Sequence, residues 1–491
     1  MKKKLLILVV AYNHEKFIEK VLERIDDSLS NIYDTEILIN DDSSSDDTLE
    51  IIKSYTNNSN RKFKYTILSN PINQGYGGNQ KIGFLYAIKN NFDYVALVHG
   101  DGQYAPEYLE QLIKPFEDEK IDAVFGSRMI TKNGALNGGM PFYKFIGNKI
   151  LTYYQNLMFN EKFSEFHSGY RVYKVNSLKK IPYNLNNNDH SFDNEIIIQC
   201  LLSNFNIKEV PIPTYYGDEI SYVNGLKYAF QVFIANLKAK LQNYGIFYDR
   251  KFDIKKKNKN NYKLKDKFDS PHKKVIDRIK NNSNILDLGC NDFSLGNELK
   301  KIKNCKITSV DINPIEKNYE NFIRHDLNLS LPNLDYQKFD YILLLDVIEH
   351  LDNPEKFMKN LKEKVDRNEN LKLIVSTPNV AFFIIRFMLL FGNFNYGQRG
   401  ILDKTHKRLF TFKSFQKLIF QSGFKFQFLT GIPAPYPLAI GENFLSKLLI
   451  SINKFLILLS KNLFSFQIYS EIKPETSIEL LLEKAKNKAN E

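Results

Sequence analysis

Two stretches of this chain alternate short apolar runs with amphipathic helical segments, and a lysine-rich polar stretch separates them. The first alternation includes the runs "KLLILVVAY" and "YVALVHG", and the second restarts at Asn284 with "NILDLGC". Between the runs, apolar residues recur every three to four positions, as in "HEKFIEKVLERIDDSL". This pattern is typical of α/β domains with largely parallel sheets. We therefore predict two α/β domains.

The length and the shifts in composition predict the domain boundaries. A chain of 491 residues is too long for one hydrophobic core. We predict a first domain over 1–245 and a solvated lysine-rich linker over 246–274. A second domain then occupies 275–435, and an apolar helical C-terminal extension covers 436–491.

The charge and the cysteines restrict the class of protein. A formal net charge of +12 favours anionic partners. Much of that charge is lysine in the linker, without the interleaved aromatic residues of a nucleic-acid-binding face, so we expect no nucleic acid partner. The three cysteines have neither metal-ligand spacing nor a disulfide framework, which fits a reducing cytosol.

The N-terminal stretch "MKKKLLILVVAYNHEK" invites comparison with a signal peptide. Its apolar run is at the short end for that role and no small-residue cleavage site follows, so we interpret it as a first buried strand. No window offers the roughly 18 uncharged apolar residues of a membrane-spanning helix. We expect a cytoplasmic protein, with peripheral contact at the inner membrane face left open.

Polar residues follow the strands of the first domain, where ligands bind in open α/β sheets. The candidates for binding a base, a ribose and a metal-bridged diphosphate are Ala11, Tyr12, Asp41, Asp42 and Gly100. The two aspartates could also cap the following helix. Asp101 stands between two glycines, where a diphosphate can approach the backbone. Because magnesium prefers one or two carboxylates plus substrate phosphates, Asp101 and Gln103 are candidate metal-binding residues.

Two further pairs of charged residues are candidates for the same site. Arg128 and Arg171 carry guanidinium forks that match phosphate oxygens, although they could equally be surface arginines. Asp193 and Glu195 are candidate general bases. Both acids could instead cap or salt-bridge the helix that follows.

Six motifs of the first domain carry a resemblance to a known family; they are "VAYNHE", "NDDSSSDDT", "NQGYGGNQKIGFLYAI", "HGDGQYAPE", "FGSR" and "HSGYRVY". In this order they resemble family 2 glycosyltransferases with the GT-A fold, in the branch of the polyprenyl-phosphate sugar transferases. The resemblance implies inverting transfer of a sugar from a nucleotide-sugar donor to a saccharide or lipid-linked acceptor.

The same resemblance implies roles for individual residues. Tyr12 and Asp41 would contact the nucleoside, while Asp101 and Gln103 would hold a divalent metal, Mg or Mn. His99 stands where many relatives carry a first acid, so we count it with the metal residues, and it could instead touch a phosphate. The stretch "YYGDEISYVNGLKYA" matches poorly the basic segment that polyprenyl-phosphate enzymes use here. The identity of the acceptor therefore stays open.

The second domain begins with the strand, glycine turn and helix of "NILDLGCNDFSLGNELKK". A glycine turn alone is weak evidence for a cofactor. About twenty residues further on, Asp311 ends the next strand, where a carboxylate commonly holds a ribose. A dinucleotide-binding Rossmann domain is the competing interpretation.

The motifs of this domain resemble the class I methyltransferases that use S-adenosylmethionine, which implies a Rossmann-like fold. The resemblance implies that Asp287 and Gly289 cradle the methionine end, that Asp311 binds the ribose, and that Asp326 lies near the adenine. "LDVIEHL" and "STPNV" suit this pattern better than the dinucleotide-binding one.

Two more residues are counted with the cofactor site. Asn291 stands where the family usually has a second glycine, and asparagine tolerates left-handed backbone angles better than most residues. Asp346 ends the apolar run "FDYILLLD".

A polar cluster between two apolar segments, "NYGQRGILDKTHKRLFT", resembles a loop of methyltransferases that occur with glycan-synthesis proteins. His406 could deprotonate a sugar hydroxyl and Asp403 could orient it, and His350 is a second candidate base.

The interpretation is a bifunctional enzyme that transfers a sugar and a methyl group in surface polysaccharide or glycolipid synthesis. Two alternatives stay open. One is a polyprenyl-phosphate glycosyltransferase with an unrelated methyltransferase activity, and the other is that one half is a non-catalytic binding module.

Overall fold

The computed structural model describes residues 2–215, 225–242, 248–254, 264–313, 321–368 and 370–476. The described residues form two compact units, one covering 2–254 and the other 264–476. Each contains a seven-stranded sheet with helices, so the expectation of two α/β folds is confirmed.

The first unit is built on strands whose bounds follow the apolar runs of the sequence. They are β1 (Lys4–Ala11), β2 (Asp34–Asp41), β3 (Lys64–Ser69), β4 (Tyr94–His99), β5 (Ala123–Ser127), β6 (Arg171–Lys174) and β7 (Ile207–Pro211). Their order is β3-β2-β1-β4-β6-β5-β7, and β6 alone runs antiparallel to its neighbours. The N-terminal run is the buried strand that the sequence predicts, and it lies in the interior of the sheet, between β2 and β4.

Helices of the first unit lie between these strands. They are α1 (Ile18–Glu23), α2 (Leu29–Ile32), α3 (Thr48–Asn58), α4 (Gly75–Lys89), α5 (Leu109–Ile113), α6 (Gly134–Asn137), α7 (Phe142–Phe159), α8 (Val175–Leu178), α9 (Phe192–Leu202) and α10 (Gly225–Gln242). Short 3₁₀ turns occupy Pro106–Tyr108, Lys114–Glu117, Tyr183–Leu185 and Arg250–Phe252.

The core of the first unit lies on both faces of the sheet. Alternate residues of β1 enter two different clusters, with Ile7 in one and Leu8 in the other. Helix α4 approaches the sheet closely at Gly83, where a Cβ atom would lie 2.2 Å from Leu8 Cδ2. Glycine fits at this position because even a Cβ atom would overlap the Leu8 side chain.

The strand order predicts a ligand crevice at the carboxyl ends of the strands, where β1 and β4 lie side by side. The chain runs from β1 outward to β3 and then returns to β4 on the other side of β1. In open α/β sheets, ligands bind at such a switch point, outside the carboxyl ends of the strands. The carboxyl ends here are Ala11, Asp41 and His99.

The strands of the second unit also coincide with apolar runs of the sequence. They are β8 (Asn284–Leu288), β9 (Lys306–Asp311), β10 (Phe322–Arg324), β11 (Tyr341–Leu345), β12 (Lys372–Pro378), β13 (Phe424–Ile432) and β14 (Gln467–Pro474). Their order is β10-β9-β8-β11-β12-β14-β13, and β14 runs antiparallel to both neighbours. The switch point lies between β8 and β11.

Helices of the second unit are α11 (Pro271–Arg278), α12 (Ser294–Lys303), α13 (Pro354–Val365), α14 (Phe383–Leu390), α15 (Phe412–Gln421), α16 (Tyr436–Ile440), α17 (Phe444–Leu459) and α18 (Lys461–Phe464). Short 3₁₀ turns occupy Tyr336–Lys338 and Ile348–His350. No described helix of either unit is long and apolar enough to cross a membrane.

The expected helical extension over 436–491 needs correction. Its described part does contain helices, but Gln467–Pro474 forms strand β14 inside the second sheet. Ile468, Tyr469 and Ile472 of this strand are fully buried. Residues 477–491 lie outside the described residues.

The expected solvated linker over 246–274 is also only partly described. Phe252 is buried against Ile198 and Ala235 in the first unit. At the other end, the Ser270 side chain accepts a hydrogen bond from the Lys273 N–H and caps α11. Residues 255–263 lie outside the described residues.

Candidate active sites

Asp41 ends β2 in the crevice of the first unit. It is 1% exposed, and its Oδ2 atom accepts long hydrogen bonds from the Ser44 N–H (3.3 Å) and the Ser69 hydroxyl (3.4 Å). Its Oδ1 atom is buried with no hydrogen-bond partner among the described residues. A buried acceptor of this kind is costly until a donor meets it, and a nucleoside can supply N–H or O–H groups. The Tyr12 side chain, just beyond β1, is 38% exposed at the same edge.

Asp42 has a structural role instead. Its Oδ1 atom accepts hydrogen bonds from the Asn70 side-chain amide (2.7 Å) and the Gln74 N–H (2.8 Å). These bonds hold the loop that leads from β3 into α4. The expectation that Asp42 binds the nucleotide sugar needs correction because its carboxylate is 2% exposed and already bonded to this loop.

Asp101 lies on the turn after β4 and is half-buried. Its Oδ1 atom accepts a hydrogen bond from the Gln103 N–H at 3.0 Å. At Gly100, a Cβ atom would lie 2.8 Å from His14 Nδ1 and 3.0 Å from the Val10 carbonyl oxygen. The turn can therefore pack this closely only with glycine at position 100, and this packing presents the Asp101 carboxylate at the crevice.

His99 contacts the half-buried side chain of Tyr76. The Tyr76 hydroxyl donates to Asp193 Oδ2 at 2.8 Å, so its oxygen accepts from His99 Nε2, 3.2 Å away. Nε2 therefore carries the proton of the neutral ring, and the lone pair lies on Nδ1. Burial lowers the pKa of His99. The bond to Tyr76 occupies Nε2 alone, so His99 stays a predicted metal residue together with Asp101 and Gln103.

Asp193 sits at the centre of a buried network that the sequence did not predict. Besides Tyr76, Gln80 approaches its Oδ1 atom at 3.4 Å and Arg171 forms an ion pair with it at 3.4 Å. The His190 ring packs on Tyr76 with 4.7 Å between the ring centroids. Of the two candidate bases, Asp193 is the one at the crevice, and its side chain is 13% exposed.

Glu195 is not placed to act as a base. Its carboxylate accepts a hydrogen bond from the Asn187 N–H at 2.7 Å and forms an ion pair with Lys251 at 2.7 Å. It therefore joins the start of α9 to the segment after α10. This is the salt bridge that the sequence offered as the alternative to a general base.

The two arginines are buried and bonded to protein. Arg171 is 1% exposed and donates to the carbonyl oxygens of Ser168 (2.8 Å) and Asp193 (3.0 Å). Arg128 is 6% exposed and pairs with the fully buried Glu165 carboxylate at 2.5 Å. Neither guanidinium is open to a phosphate, so the expected phosphate clamps are corrected to structural ion pairs.

The glycine turn of the second unit has the geometry of a cofactor loop. Gly289 has φ +80°, and a Cβ atom there would lie 2.6 Å from Val347 Cγ2. Asn291 adopts the left-handed conformation, with φ 53°, as the sequence predicts. Its N–H donates to Asp311 Oδ2 at 2.9 Å, while the Asn313 N–H donates to Oδ1 at 2.9 Å. Asp311 therefore holds this loop in shape as well as facing the crevice.

Asp287 lies one residue before the end of β8, close to Asp311. It is 5% exposed. Burial, and then the nearby charge of Asp311, raises the pKa of Asp287 to about 7. A cationic ligand beside these two acids would relieve both effects, and S-adenosylmethionine carries a sulfonium and an ammonium group. The two acids therefore fit that cofactor.

Asp326 and Asp346 differ in their surroundings. Asp326 is half-buried and accepts from the Asn328 N–H at 2.9 Å, within its own turn. Asp346 accepts from the Ser376 hydroxyl (2.8 Å) and from the Gln467 side-chain amide (2.7 Å). Gln467 belongs to β14, so the sequence alone did not predict this contact.

The polar cluster of the second unit brings His350 and His406 together. Their ring centroids are 4.8 Å apart. His406 Nδ1 bonds to the Ile401 carbonyl oxygen at 2.9 Å and His350 Nδ1 bonds to the Thr405 carbonyl oxygen at 3.1 Å. Burial lowers the pKa of His406.

Asp403 does not orient His406, contrary to expectation. Its Oδ1 atom accepts from the Thr405 N–H (2.9 Å) and hydroxyl (2.8 Å), so it stabilises its own turn. The Ile401 carbonyl orients the imidazole instead. The sequence prediction also missed Glu349, which is 1% exposed next to the two histidines.

Both sheets carry polar residues at a switch point, which is the arrangement of nucleotide-dependent α/β enzymes. Residues 6–182 match the model of "Glycosyl transferase family 2" and residues 261–427 match that of a "Methyltransferase domain". The chain belongs to glycosyltransferase family 2, and it joins this domain to a methyltransferase domain. Both domains are transferases, as the sequence predicts.

Named relatives match the first unit. The UDP-N-acetylglucosamine–dolichyl-phosphate N-acetylglucosaminyltransferase of Methanococcus voltae is 30% identical over 253 residues, which are 49% of this chain and 98% of that protein. The low-salt glycan biosynthesis hexosyltransferase Agl6 of Haloferax volcanii is 27% identical over 215 residues, covering 43% of this chain and 48% of that protein.

Among solved structures, the glucosyl-3-phosphoglycerate synthase of Mycobacterium tuberculosis, in complex with Mn²⁺, UDP and phosphoglyceric acid, is 16% identical. The match covers 48% of this chain and 78% of that one, with a TM-score of 0.37. A likeness of this size supports no conclusion about the present chain.

Proposed function

We propose that the first unit transfers a sugar, with inversion, from a nucleotide-sugar donor to a lipid-linked acceptor. Two observations carry this proposal: the Asp101 carboxylate follows a glycine turn at the end of β4, and the buried Oδ1 atom of Asp41 at the end of β2 has no partner among the described residues. Asp41 and Tyr12 would bind the nucleoside. Asp101 and Gln103 would hold a divalent cation, Mg or Mn. Such a cation neutralises the charge of a diphosphate leaving group.

An exposed apolar stripe supports a lipid-linked acceptor. Helix α7 exposes large apolar side chains with helical spacing along one face, namely Phe142, Ile146, Ile150, Tyr153 and Leu157. Helix α10 packs beside it, with Tyr154 stacked on Phe233 at 5.4 Å between ring centroids. A relative of this unit is named for a dolichyl-phosphate acceptor. We infer that this face contacts the lipid, at the inner surface of a membrane.

The chemistry at the acceptor depends on its class. A phosphate acceptor is already anionic and needs no general base, whereas a hydroxyl acceptor does. Asp193 is the candidate base for a hydroxyl, because its side chain is 13% exposed and is held by Arg171 at 3.4 Å. Asp193→Asn should therefore abolish transfer to a sugar hydroxyl and reduce transfer to a lipid phosphate far less.

We propose that the second unit transfers a methyl group from S-adenosylmethionine to a glycan hydroxyl. Asp311 would bind the ribose, Asp287 and the Gly289 turn would hold the methionine end, and Asp326 would lie near the adenine. The conformation of the loop supports this fit, since its backbone is already held by Asp311. His350 and His406 would activate the acceptor hydroxyl. Because one chain carries both units, the simplest shared product is a methylated surface glycan or glycolipid.

The first test uses the intact chain, nucleotide-sugar donors and a dolichyl-phosphate acceptor with Mg²⁺ or Mn²⁺. Asp101→Asn should reduce sugar transfer at least a hundredfold, because a cation at the leaving group contributes several kcal/mol. The matched control is Asp118→Asn, an exposed aspartate that caps a turn in the same unit. Near wild-type transfer by Asp101→Asn would contradict the proposal.

The second test titrates S-adenosylmethionine into the same protein by calorimetry. Asp311→Asn should weaken binding roughly tenfold to a hundredfold, since hydrogen bonds to a charged acceptor contribute about 1.5–3 kcal/mol. If the wild-type chain shows no measurable binding at millimolar S-adenosylmethionine, the second unit does not use this cofactor. The alternative of a non-catalytic binding module would then be favoured.

A further inference from the structure

A carboxylate and two imidazoles converge in the second unit, outside the residues assigned to the cofactor. One ligand atom each from Glu349, His350 and His406 lies within 4.8 Å of the other two. Among the residues that the structure describes, this is the one cluster of histidine, cysteine or acidic side chains with that geometry. His350 and Glu349 come from the 3₁₀ turn after β11, and His406 comes from the loop before α15.

Both imidazoles are oriented as metal ligands are. A carbonyl oxygen can only accept, so the hydrogen bonds to Thr405 and Ile401 place the proton of each ring on Nδ1. The Nε2 atoms of the neutral rings then carry lone pairs. A hydrogen bond from the distal ring nitrogen to a backbone carbonyl is the usual second-shell support of a metal-binding histidine.

Glu349 supplies an independent observation. Both of its carboxylate oxygens are buried and have no hydrogen-bond partner in the described structure. The Lys407 and Arg408 N–H groups donate to its main-chain carbonyl oxygen, at 2.8 and 3.0 Å. Their side chains turn away, however, and form ion pairs with Asp352 and Glu355. Neither of these two cationic side chains is paired with the Glu349 carboxylate.

An unpaired buried carboxylate is costly, and such groups are usually paired or bound to a metal. We propose that Glu349, His350 and His406 form a binding site for a divalent transition-metal cation. Two imidazoles and one carboxylate suit zinc, manganese, iron or cobalt better than magnesium, which prefers oxygen ligands. Three protein ligands leave at least one coordination position open, as in catalytic zinc sites.

The role of this cation rests on the proposed methyl transfer, although its binding does not. Held by Glu349, His350 and His406, a cation would offer its open position to the acceptor hydroxyl and lower the pKa of that hydroxyl, and the proton would leave to water. The oxygen then bonds to the methyl carbon while the carbon–sulfur bond breaks, and the sulfonium becomes a neutral thioether. His350 and His406 therefore act through the cation, in place of the general base expected from the sequence.

The test measures Co²⁺ binding to the full chain by its visible absorption and by calorimetry. All proteins carry Asp101→Asn, so that the candidate metal residue of the first unit does not contribute. We expect one Co²⁺ per chain, and binding at least about a hundredfold weaker with Glu349→Gln or His406→Asn, because even second-shell changes cost 10–100-fold. His325→Asn, which removes a histidine bonded to Ser330 in the same unit, should bind Co²⁺ as tightly as its parent.

Stability separates loss of the site from loss of the fold. Glu349→Gln replaces a buried carboxyl group that has no hydrogen-bond partner among the described residues, so the metal-free variant should be as stable as its parent or more so. Saturating Co²⁺ should raise the unfolding temperature of the parent and of His325→Asn but not of Glu349→Gln. No Co²⁺ binding by the parent, or equal binding by Glu349→Gln and His406→Asn, would overturn the proposal.

S-adenosylmethionine titrations of the same proteins keep this proposal distinct from the proposed function. Cofactor binding without Co²⁺ binding would overturn the cation site alone. Co²⁺ binding without cofactor binding would support the site and overturn the methyltransferase proposal.

Discussion

Buried ionisable side chains in the first unit make its stability depend on pH, and His167 is the clearest case. Burial lowers the pKa of His167 to about 4. Its Nδ1 atom is 3.1 Å from the Tyr228 hydroxyl, and its Nε2 atom is buried with no partner among the described residues. The neutral imidazole is therefore the form that the fold accepts.

The sign of the effect follows from proton binding in the two states. Between pH 6.5 and about 4, an unfolded histidine is protonated while His167 in the folded protein is not. Stability is therefore fully present above pH 6.5 and is lost as the pH falls toward 4, by at most about 3 kcal/mol from this group. We expect His167→Gln to show a smaller loss between pH 7 and pH 5 in urea unfolding of the first unit.

A matched control for this measurement is His325→Gln in the second unit. It should leave the pH dependence of the first unit unchanged. Equal pH dependence of wild-type protein and His167→Gln would mean that other buried groups, such as His14 and His99, carry the whole effect. Burial lowers the pKa of both of these histidines as well.

At the scale of elements, the apolar face of α7 predicts membrane binding. Phe142, Ile150 and Leu157 are 68, 63 and 70% exposed on this face. Burying large apolar side chains of this kind contributes about 1.5–3 kcal/mol each. Replacing all three by serine should lower binding to vesicles of phosphatidylcholine and phosphatidylglycerol more than tenfold in a sedimentation assay.

The control removes equally exposed but scattered apolar side chains. Ile32, Ile72 and Leu329 are 48, 67 and 82% exposed and lie outside α7. Their replacement by serine should leave vesicle binding within about twofold, because single exposed apolar residues are common on soluble proteins. Equal loss in both triple variants would argue against a specific lipid-facing helix.

Strand β14 gives the second prediction at this scale. It pairs with β12 over Leu373–Pro378 and with β13 over Phe424–Ile432, so both strands lose their neighbour if it is absent. A second unit that ends at residue 435, as the sequence suggested, should therefore be unfolded. One that ends at residue 476 should fold. The two fragments are to be compared by circular dichroism and amide exchange, and a folded shorter fragment would contradict the prediction.

At the scale of the whole molecule, the two units should unfold separately. Each has its own sheet and its own core clusters. Calorimetry should show two transitions, one raised by a nucleotide sugar with Mn²⁺ and the other by S-adenosylmethionine. At a hundred times the dissociation constant, each ligand should stabilise its unit by about 2.7 kcal/mol. A single transition that both ligands shift would mean that the units fold as one.

The sequence alone determined the features that depend on neighbours along the chain. The spacing of apolar residues predicted both sheets. Apolar residues that recur every second position favour a strand, and those that recur every third to fourth position favour a helix. Glycine spacing predicted the turn at Asp101 and the loop at Gly289, since their backbone angles and close contacts depend on the absence of a Cβ atom. Strand ends then predicted Asp41 and Asp311 at the crevices.

Tertiary structure alone decided how charged side chains are used. Whether Arg171 faces a phosphate or Asp193, and whether Asp346 meets a ligand or Gln467, depends on partners 22 and 121 positions away along the chain. Glu349 and His406 likewise come together only through the loop before α15. The physical reason is that the free energy of a charged group depends on its burial and on partners within a few ångströms, and residue order does not specify either distance.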